Sequence, residues 1–328
     1  MRIVITDDRF GHADEEKHVF AGEELIVADC HTEEDLISVC KGADGILLNQ
    51  APMTRQVIGT LDKCRVISRY GIGYDNVDLK AAEEKGIWVT NVPGYCTEEV
   101  AEHALGLLLS CVRAIPEKDR VVRNGSWNNN RTIRRMSGRV LGIVGFGATG
   151  RAFWEKIQGF AFSKILITDP RGKEKLVSQA DISASRLFNQ TESVPLEELL
   201  EASDFISLHV PLNESTRHFI NSKSIAAMKE GVILINISRG AVIDEAALVE
   251  ALRTGHIARA GLDVFEKEPL PLDHPFLSLP NVVLTDHSAY YSAESVSELK
   301  TRTAMNALEV LKGLIPHTAV NEPLRPEA

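Results

Sequence analysis

Long apolar runs, an excess of positive charge and paired cysteines are all missing from this sequence. No uninterrupted apolar stretch approaches the roughly 20 residues that span a bilayer, and the N-terminus carries no signal-peptide pattern. Lysine and arginine total 36 against 46 aspartates and glutamates, which gives a formal net charge of -10. Because phosphate backbones and anionic lipids bind to basic faces, this charge argues against a nucleic-acid partner and against a membrane partner.

The cysteines are too few and too scattered for a disulfide framework or a metal site. Five lie between Cys30 and Cys111, with no CxxC pair and no metal-ligand spacing. An odd number of isolated thiols is typical of small buried side chains in a reducing compartment. The sequence therefore predicts a cytoplasmic protein without a resident metal.

The pattern that is present indicates an α/β fold. The chain has 328 residues, of which 44% are hydrophobic, and this length predicts two domains rather than one core. Short β-branched runs such as Ile3–Ile5 and Gly45–Leu48 alternate with helix-like segments, and a second such series begins at Arg139. Runs that are apolar throughout, rather than alternating, indicate parallel strands buried on both faces.

A glycine-rich motif follows the first strand of the second series. G-x-G-x-x-G stands directly after the predicted strand Val140–Val144 and directly before a helical pattern. In that context the glycines permit a tight turn, a close backbone approach to a pyrophosphate, and close packing of helix on strand. The motif therefore predicts a dinucleotide site formed by Gly145, Phe146, Gly147, Ala148, Thr149 and Gly150.

An acidic residue is expected about 20 residues beyond such a motif, where it binds the adenosine ribose. Asp169 stands there, at the end of the next predicted strand. A carboxylate in that place repels a 2′-phosphate, so the sequence predicts NAD as the cofactor. Pro170 and Arg171 follow and are assigned to the same site; Arg171 keeps NADP open, because arginine can hold the extra phosphate.

Polar residues follow three later strands, at the ends where α/β proteins bind ligands. They are Arg239, Glu268 and His287. Singly, each fits a structural role: a surface cation, a solvated acid and a buried histidine. Together, after a nucleotide motif, they fit dehydrogenation of a 2-hydroxy acid. Histidine exchanges the hydroxyl proton, a carboxylate beside it stabilises the imidazolium, and a guanidinium grips the substrate carboxylate.

With these residues in place the chain resembles the D-isomer-specific 2-hydroxyacid dehydrogenase family. The similarity extends over nearly the whole chain in the family's order, and within the family it is greatest to the branch of the C-terminal binding protein corepressors. The matching stretches are Arg69–Asp78, Asn91–Pro93, Val100–Ala104, the glycine motif, His209–Asn213, Ile237–Leu248, Leu262–Pro269 and His287–Ala289.

The resemblance implies a role for each site residue. Arg239 binds substrate, and Glu268 pairs with His287, the acid/base. Further cofactor-binding residues are His209, Val210, Pro211, Thr216, Ile237, Ser238, Asp263 and Ala289. On the substrate side stand Arg69, Ile72, Gly73 and Tyr290, with the loop Gly71–Gly73 offering N–H groups to the substrate carboxylate.

The resemblance also implies how the domains are arranged. A Rossmann dinucleotide-binding domain, residues 99–289, is inserted into a flavodoxin-like substrate domain made of residues 1–98 and 290–328. The long helices after Thr97 act as a hinge and as part of a homodimer interface. Periodicity alone does not predict this interleaving.

Three features depart from the family pattern. Asp286 replaces the usual proline before the histidine and would favour the imidazolium if it lies close. Phe153 and Trp154 are bulky residues for the helix after the glycine motif, and Tyr290–Tyr291 place aromatic bulk where substrate size is decided.

Several functional alternatives stay open. Glu268 argues against formate dehydrogenases, which lack that glutamate, whereas phosphite oxidation uses a similar triad. An NAD(H)-sensing corepressor or scaffold is the alternative from another class. For the substrate, Arg55 and Arg69 are candidates to hold a phosphate, whereas the loop Asn49–Pro52 equally suits a short uncharged one.

Overall fold

A computed structural model describes residues 1–127, 133–169 and 190–324 of the chain. The described residues form twelve strands: β1 (Arg2–Ile5), β2 (Glu24–Val27), β3 (Gly45–Leu48), β4 (Val66–Arg69), β5 (Trp88–Thr90), β6 (Val140–Val144), β7 (Lys164–Thr168), β8 (Thr191–Ser193), β9 (Phe205–Leu208), β10 (Val232–Asn236), β11 (Ile257–Leu262) and β12 (Val282–Leu284).

The helices alternate with these strands, as the sequence predicts. They are α1 (Asp14–Val19), α2 (Glu33–Val39), α3 (Arg55–Gly59), α4 (Leu79–Glu84), α5 (Thr97–Arg113), α6 (Ile115–Arg123), α7 (Ala148–Lys156), α8 (Leu196–Ala202), α9 (Ser222–Ala227), α10 (Glu245–Thr254) and α11 (Ala293–Leu311). Polar N-caps begin several of them: Thr32 and Asp35 form a reciprocal capping box at α2, and Ser292 and Ser295 form another at α11.

The chain divides into two compact units, one comprising Met1–Tyr95 and Tyr291–Ala328, the other Cys96–Tyr290. In the first unit all five strands are parallel in the order β2-β1-β3-β4-β5, the flavodoxin-like order. In the second, seven parallel strands take the order β12-β11-β10-β9-β6-β7-β8, which contains the Rossmann order. The predicted fold class is confirmed.

The second unit buries both faces of its sheet. Ile233 and Ile235 of β10 belong to one apolar cluster, which α5 and α7 complete, whereas Val232 and Leu234 belong to another. Successive side chains of a strand point to opposite faces, so each face needs its own apolar residues. This is the physical reason for the continuous apolar runs in the sequence.

The bulky pair on α7 lies inside the first of these clusters. Phe153 and Trp154 are both buried, and the Trp154 indole Nε1 donates a hydrogen bond to Thr191 Oγ1 at 2.9 Å. Phe146 contacts the Trp154 ring edge-on, with 6.1 Å between centroids. The two aromatic side chains therefore fill the core between α7 and the sheet, and the Trp154 hydrogen bond holds β8 in place. β8 is a three-residue polar strand that periodicity does not predict.

Candidate active site

The glycine motif forms a cradle where β6 passes into α7. Gly145 has φ +92°, and a side chain there would bring its Cβ to 2.5 Å from the His209 carbonyl oxygen. A Cβ at Gly150 would lie 2.2 Å from the carbonyl oxygen of Gly145. Both positions therefore require glycine. Gly147 is the N-cap of α7 and no side chain of a described residue caps the helix, so its first N–H groups face the cradle uncapped.

Asp169 lies beside this cradle at the end of β7. It is buried, and its Oδ2 accepts a hydrogen bond from the Phe146 backbone N–H at 2.9 Å. The carboxylate thus fixes the glycine loop. The Phe146 side chain packs in the core, so only its backbone belongs to the loop surface. Pro170 and Arg171 lie outside the described residues.

His209 follows β9 on the opposite side of the cradle. Its Nε2 bonds with Ser207 Oγ at 2.9 Å, and its ring lies 5.2 Å from the Phe153 ring. Burial lowers the pKa of His209 to about 3, so the imidazole is uncharged. The buried Nδ1 has no hydrogen-bond partner among the described residues, which is a position that a ligand can satisfy.

The turn after His209 is rigid. Thr216 Oγ1 donates to the Pro211 carbonyl at 2.7 Å and accepts from the Asn213 N–H at 2.9 Å. Val210 is buried against Gly145, while Pro211 is exposed. The structure therefore places His209 and Val210 against the glycine loop, with Pro211 exposed after them and Thr216 as the residue that shapes their turn.

Arg239 stands just beyond β10 on a loop that a buried asparagine holds. The Asn236 Nδ2 donates to the Arg239 carbonyl at 2.9 Å, and its Oδ1 accepts from the Ser238 N–H at 3.0 Å. A Cβ at Gly240 would lie 1.8 Å from the Phe265 carbonyl carbon, so this loop packs directly on the loop after β11. Ile237 is buried beside them.

Glu268 and His287 form a close pair. The His287 Nδ1 lies 2.6 Å from Glu268 Oε2, and Oε1 accepts from the Phe265 N–H at 2.9 Å. Burial raises the pKa of Glu268, but the hydrogen bond and charge of His287, the Phe265 N–H and the charge of Arg239 outweigh it, so the pKa lies below its ordinary value. The structure thus brings the three predicted catalytic residues together.

The His287 loop is anchored by one buried carboxylate. Asp263 is fully buried; its Oδ1 accepts from the Ser288 N–H and its Oδ2 from the Ala289 N–H, both at 3.0 Å. The Asp263 carbonyl accepts from the His287 N–H at 2.8 Å. His287 needs this support because its φ of 56° is left-handed, which costs a non-glycine residue about 1–2 kcal/mol.

The two departures next to His287 have different outcomes. Asp286 is exposed and forms no hydrogen bond or ion pair with His287 within the part of the chain that the structure describes. The Tyr290 ring meets the His287 ring edge-on, with 6.4 Å between centroids. Of these two residues, Tyr290 contacts the His287 ring, whereas the Asp286 side chain is exposed to solvent.

The predicted substrate residues of the first unit lie at the end of β4, where Arg69 is the last strand residue, and on the loop that follows. The Arg69 Nη1 donates to the Tyr70 carbonyl, and the guanidinium lies over Gly71, whose φ of +136° and missing side chain make room for it. The carbonyls of Gly71 and Ile72 accept from the Val92 N–H and the Asn91 side chain.

Comparison with known proteins identifies the family. The sequence model described as "D-isomer specific 2-hydroxyacid dehydrogenase, NAD binding domain" matches residues 105–289. A glyoxylate reductase of Korarchaeum cryptofilum is 42% identical over 88% of this chain and 85% of its own. The chain belongs to the D-isomer specific 2-hydroxyacid dehydrogenases.

Other relatives share the same framework with different substrates in their names. A D-3-phosphoglycerate dehydrogenase of Methanocaldococcus jannaschii is 36% identical over 100% of this chain, which spans 60% of that protein's length. A D-lactate dehydrogenase of Aquifex aeolicus, solved with NAD and lactic acid, is 27% identical with a TM-score of 0.86, covering 98% of this chain and 100% of that one. The similarity to the corepressor branch is not tested by these matches and stays a prediction.

This dehydrogenase therefore uses NAD, as the sequence predicts, and the residues present fit that cofactor. At Gly145 and Gly150 the missing side chains keep the cradle open for a ligand. The buried Nδ1 of His209 has no protein partner within the described ranges. Asp169 stands where a ribose-binding acid is expected. Among the described residues, no cluster of His, Cys, Asp and Glu is arranged to hold a metal ion.

Sequence reasoning missed the residues that hold the site rather than form it. Asn236 was not singled out, and the part that Asp263 plays in the His287 loop was not foreseen. Both are buried polar side chains at strand ends, and that combination is the signal that could have found them, because a buried polar group must satisfy its hydrogen bonds locally.

Replacing Asp169 tests the cofactor preference. In Asp169→Asn we expect the Kd for NADH to rise about tenfold and the preference over NADPH to narrow, because the repulsion of a 2′-phosphate is lost. Fluorescence titration with both cofactors measures this, with the exposed Asp286→Asn as control. An unchanged preference would contradict the ribose assignment.

The lowered pKa of Glu268 predicts a pH-dependent contribution to stability. Its folded-state pKa lies below the unfolded one, so the contribution is complete above the ordinary glutamate value of about 4.3 and is lost as pH falls through the folded value. Glu268→Gln should therefore lower the melting temperature by a few degrees at pH 7, and the difference should shrink towards pH 3. A difference that grows on acidification would show the opposite pKa shift.

Proposed function

We propose that this chain reduces a short, unphosphorylated 2-oxo acid such as glyoxylate or hydroxypyruvate to its D-2-hydroxy acid, with Arg239, Glu268 and His287 as the catalytic residues. The observation that supports this most is the 2.6 Å contact between His287 and Glu268 at the strand ends beside Arg239. Residues 99–289 hold the cofactor, and residues 1–98 with 290–328 supply the substrate loops.

The contact between His287 and Glu268 indicates which ring nitrogen of His287 donates the proton to the substrate. Because Nδ1 of His287 is bonded to Glu268, Nε2 is the nitrogen that gives a proton to the carbonyl oxygen of the substrate. Glu268 stays ionised, owing to its lowered pKa, and stabilises the imidazolium that must form before that transfer. NADH, when bound, supplies the hydride to the carbonyl carbon. The Arg239 guanidinium binds the substrate carboxylate and polarises the carbonyl.

The loop after β4 supports binding of the substrate carboxylate. The N–H groups of Ile72 and Gly73 have no hydrogen-bond partner within residues 1–127, 133–169 and 190–324, although the carbonyls of Gly71 and Ile72 are bonded. Two successive N–H groups on an anchored loop are donors that suit an anion. We propose Arg69, Ile72, Gly73 and Tyr290 as the substrate-side residues.

Two candidate positions for a second anionic group of the substrate, both among the described residues of the first unit, already have partners. The loop after β3 has its successive N–H groups of Asn49, Gln50 and Ala51 already bonded to the buried Asp7 carboxylate. Arg55, a candidate for holding a phosphate, is bonded instead to Glu84, at 2.5 and 3.2 Å. These two observations favour an unphosphorylated substrate.

A substrate panel tests the proposal. Glyoxylate, pyruvate, hydroxypyruvate and 3-phosphohydroxypyruvate are each assayed with NADH and NADPH. We expect kcat/KM for one of the first three with NADH to exceed that for the phosphorylated acid at least about tenfold, which corresponds to about 1.4 kcal/mol. A preference for the phosphorylated acid would overturn the substrate assignment.

The matched control for the panel is His287→Ala. Loss of a general acid should lower kcat by about 10²- to 10⁴-fold while NADH binds as before. Unchanged turnover would remove His287 from its role. If the unmodified protein binds NADH tightly but reduces none of the four acids, the alternative of an NAD(H)-sensing scaffold is favoured.

We also propose that the chain forms a homodimer through α6 and the segment after it. Ile115, Val122 and Trp127 are exposed apolar side chains there, and Trp127 is 77% exposed. Several large exposed apolar side chains within one short stretch of chain favour a protein interface there. Light scattering should give twice the chain mass, and Val122→Glu should give a monomer, whereas Leu272→Glu at a fully exposed site should not. An unmodified protein of single-chain mass would contradict the proposal.

The cytoplasm is the compartment we propose. All five cysteines are buried free thiols, and burial raises the pKa of Cys40, Cys64 and Cys111 to about 12. Within the described residues, no helix is long and apolar enough to cross a membrane. Fractionation of the source cells tests the compartment.

A further inference from the structure

A second histidine, His103, lies close to Asp263, the carboxylate that anchors the His287 loop. His103 lies in the middle of α5, and its Nε2 is 2.9 Å from Thr285 Oγ1 and 3.4 Å from Asp263 Oδ1. Thr285 Oγ1 in turn lies 2.6 Å from Asp263 Oδ1. The three side chains therefore form a connected group directly beneath the loop that carries His287.

The direction of each hydrogen bond follows from the protons available. Asp263 Oδ1 already accepts from the Ser288 N–H, and Oδ2 accepts from the Ala289 N–H, so the carboxylate is an acceptor throughout. The single hydroxyl proton of Thr285 is therefore donated to Asp263. The oxygen of Thr285 is left as an acceptor, so the proton between it and His103 must reside on Nε2.

We propose that His103 is a positioning residue for the acid/base histidine: its Nε2–H orients the Thr285 hydroxyl, which completes the hydrogen bonds of Asp263 and so fixes the His287 loop. Asp263 is fully buried and the His103 side chain is 24% exposed, so the group is shielded and its geometry is well defined. This proposal rests on the function proposed for His287.

The loop requires such support because of its backbone. His287 has φ 56°, a conformation that is uncommon for residues other than glycine, and three consecutive N–H groups bond to Asp263: that of His287 to its carbonyl, and those of Ser288 and Ala289 to its carboxylate. Without the hydroxyl of Thr285, the Asp263 carboxylate is free to rotate and to release the Ser288 and Ala289 N–H groups. His287 would then move relative to Glu268 without any change in the residues that perform the reaction.

Paired substitutions separate positioning from simple loss of packing. Thr285→Val keeps the shape and removes the hydroxyl, whereas Thr285→Ser keeps the hydroxyl. His103→Leu removes the donor, whereas His103→Gln retains a donor near the place of Nε2. We expect kcat to fall about 10- to 100-fold in Thr285→Val and His103→Leu, and to stay within about threefold of the unmodified enzyme in the two conservative variants.

Two further readouts distinguish this role from general destabilisation. The pH profile of kcat for reduction should change in Thr285→Val and not in Thr285→Ser, because only the first displaces the imidazole relative to Glu268. The double variant His103→Leu/Thr285→Val should be no worse than the worse single variant, since both act through one hydroxyl. Fully additive losses, or an equal loss in Thr285→Ser and Thr285→Val, would overturn the proposal.

Amide hydrogen exchange gives an answer that does not depend on turnover. Exchange of the Ser288 and Ala289 N–H groups, followed by mass spectrometry on peptides from residues 285–292, should be about tenfold faster in His103→Leu and Thr285→Val than in the conservative variants. If the enzyme reduces none of the acids but this difference is present, the loop anchor stands and the proposed function fails. If exchange is the same in all variants, His103 does not position the loop.

Discussion

The carboxyl ends of β10, β11 and β12 lie at one edge of the second unit's sheet, because these strands are parallel and in register there. Asn236, the final residue of β10, is paired with Leu262 of β11, and Leu262 with Leu284 of β12. Arg239, Glu268 and His287 each follow one of these ends within a few residues. Three side chains far apart in the sequence are thereby delivered to one place, and the loops between them need only be short and anchored.

The loops that bear Arg239 and His287 are each held by a buried polar side chain, whose burial is unfavourable unless its hydrogen bonds are made. Asn236 holds the Arg239 loop and Asp263 holds the His287 loop, and neither is accessible to water. A buried carboxylate is unfavourable unless its oxygens are satisfied, so Asp263 is stable only with the Ser288 and Ala289 N–H groups in place. The stability of the carboxylate and the geometry of the active site are consequently one requirement.

Sequence reasoning reached the parts that depend on local pattern. Continuous apolar runs predict the parallel sheets, and glycine spacing predicts the cradle of Gly145–Gly150. Polar residues after strands point to Arg239, Glu268 and His287, which the structure brings together and whose catalytic roles stay a proposal. It could not reach contacts set by tertiary packing, such as His103 on α5 against Thr285, which are 182 residues apart. Nor could sequence reasoning decide whether Asp286 lies close to His287; the structure shows the Asp286 side chain exposed.

The Asp7 carboxylate also determines how the loop after β3 is held. It occupies the N–H groups of Asn49 to Ala51 as a bound anion would, while Asn76 holds the carbonyls of Asn49 and Ala51. The chain thus supplies, from within its own fold, the anionic partner of this loop. The conformational entropy that is lost in ordering these residues is therefore part of the cost of folding and not of the binding of an external anion.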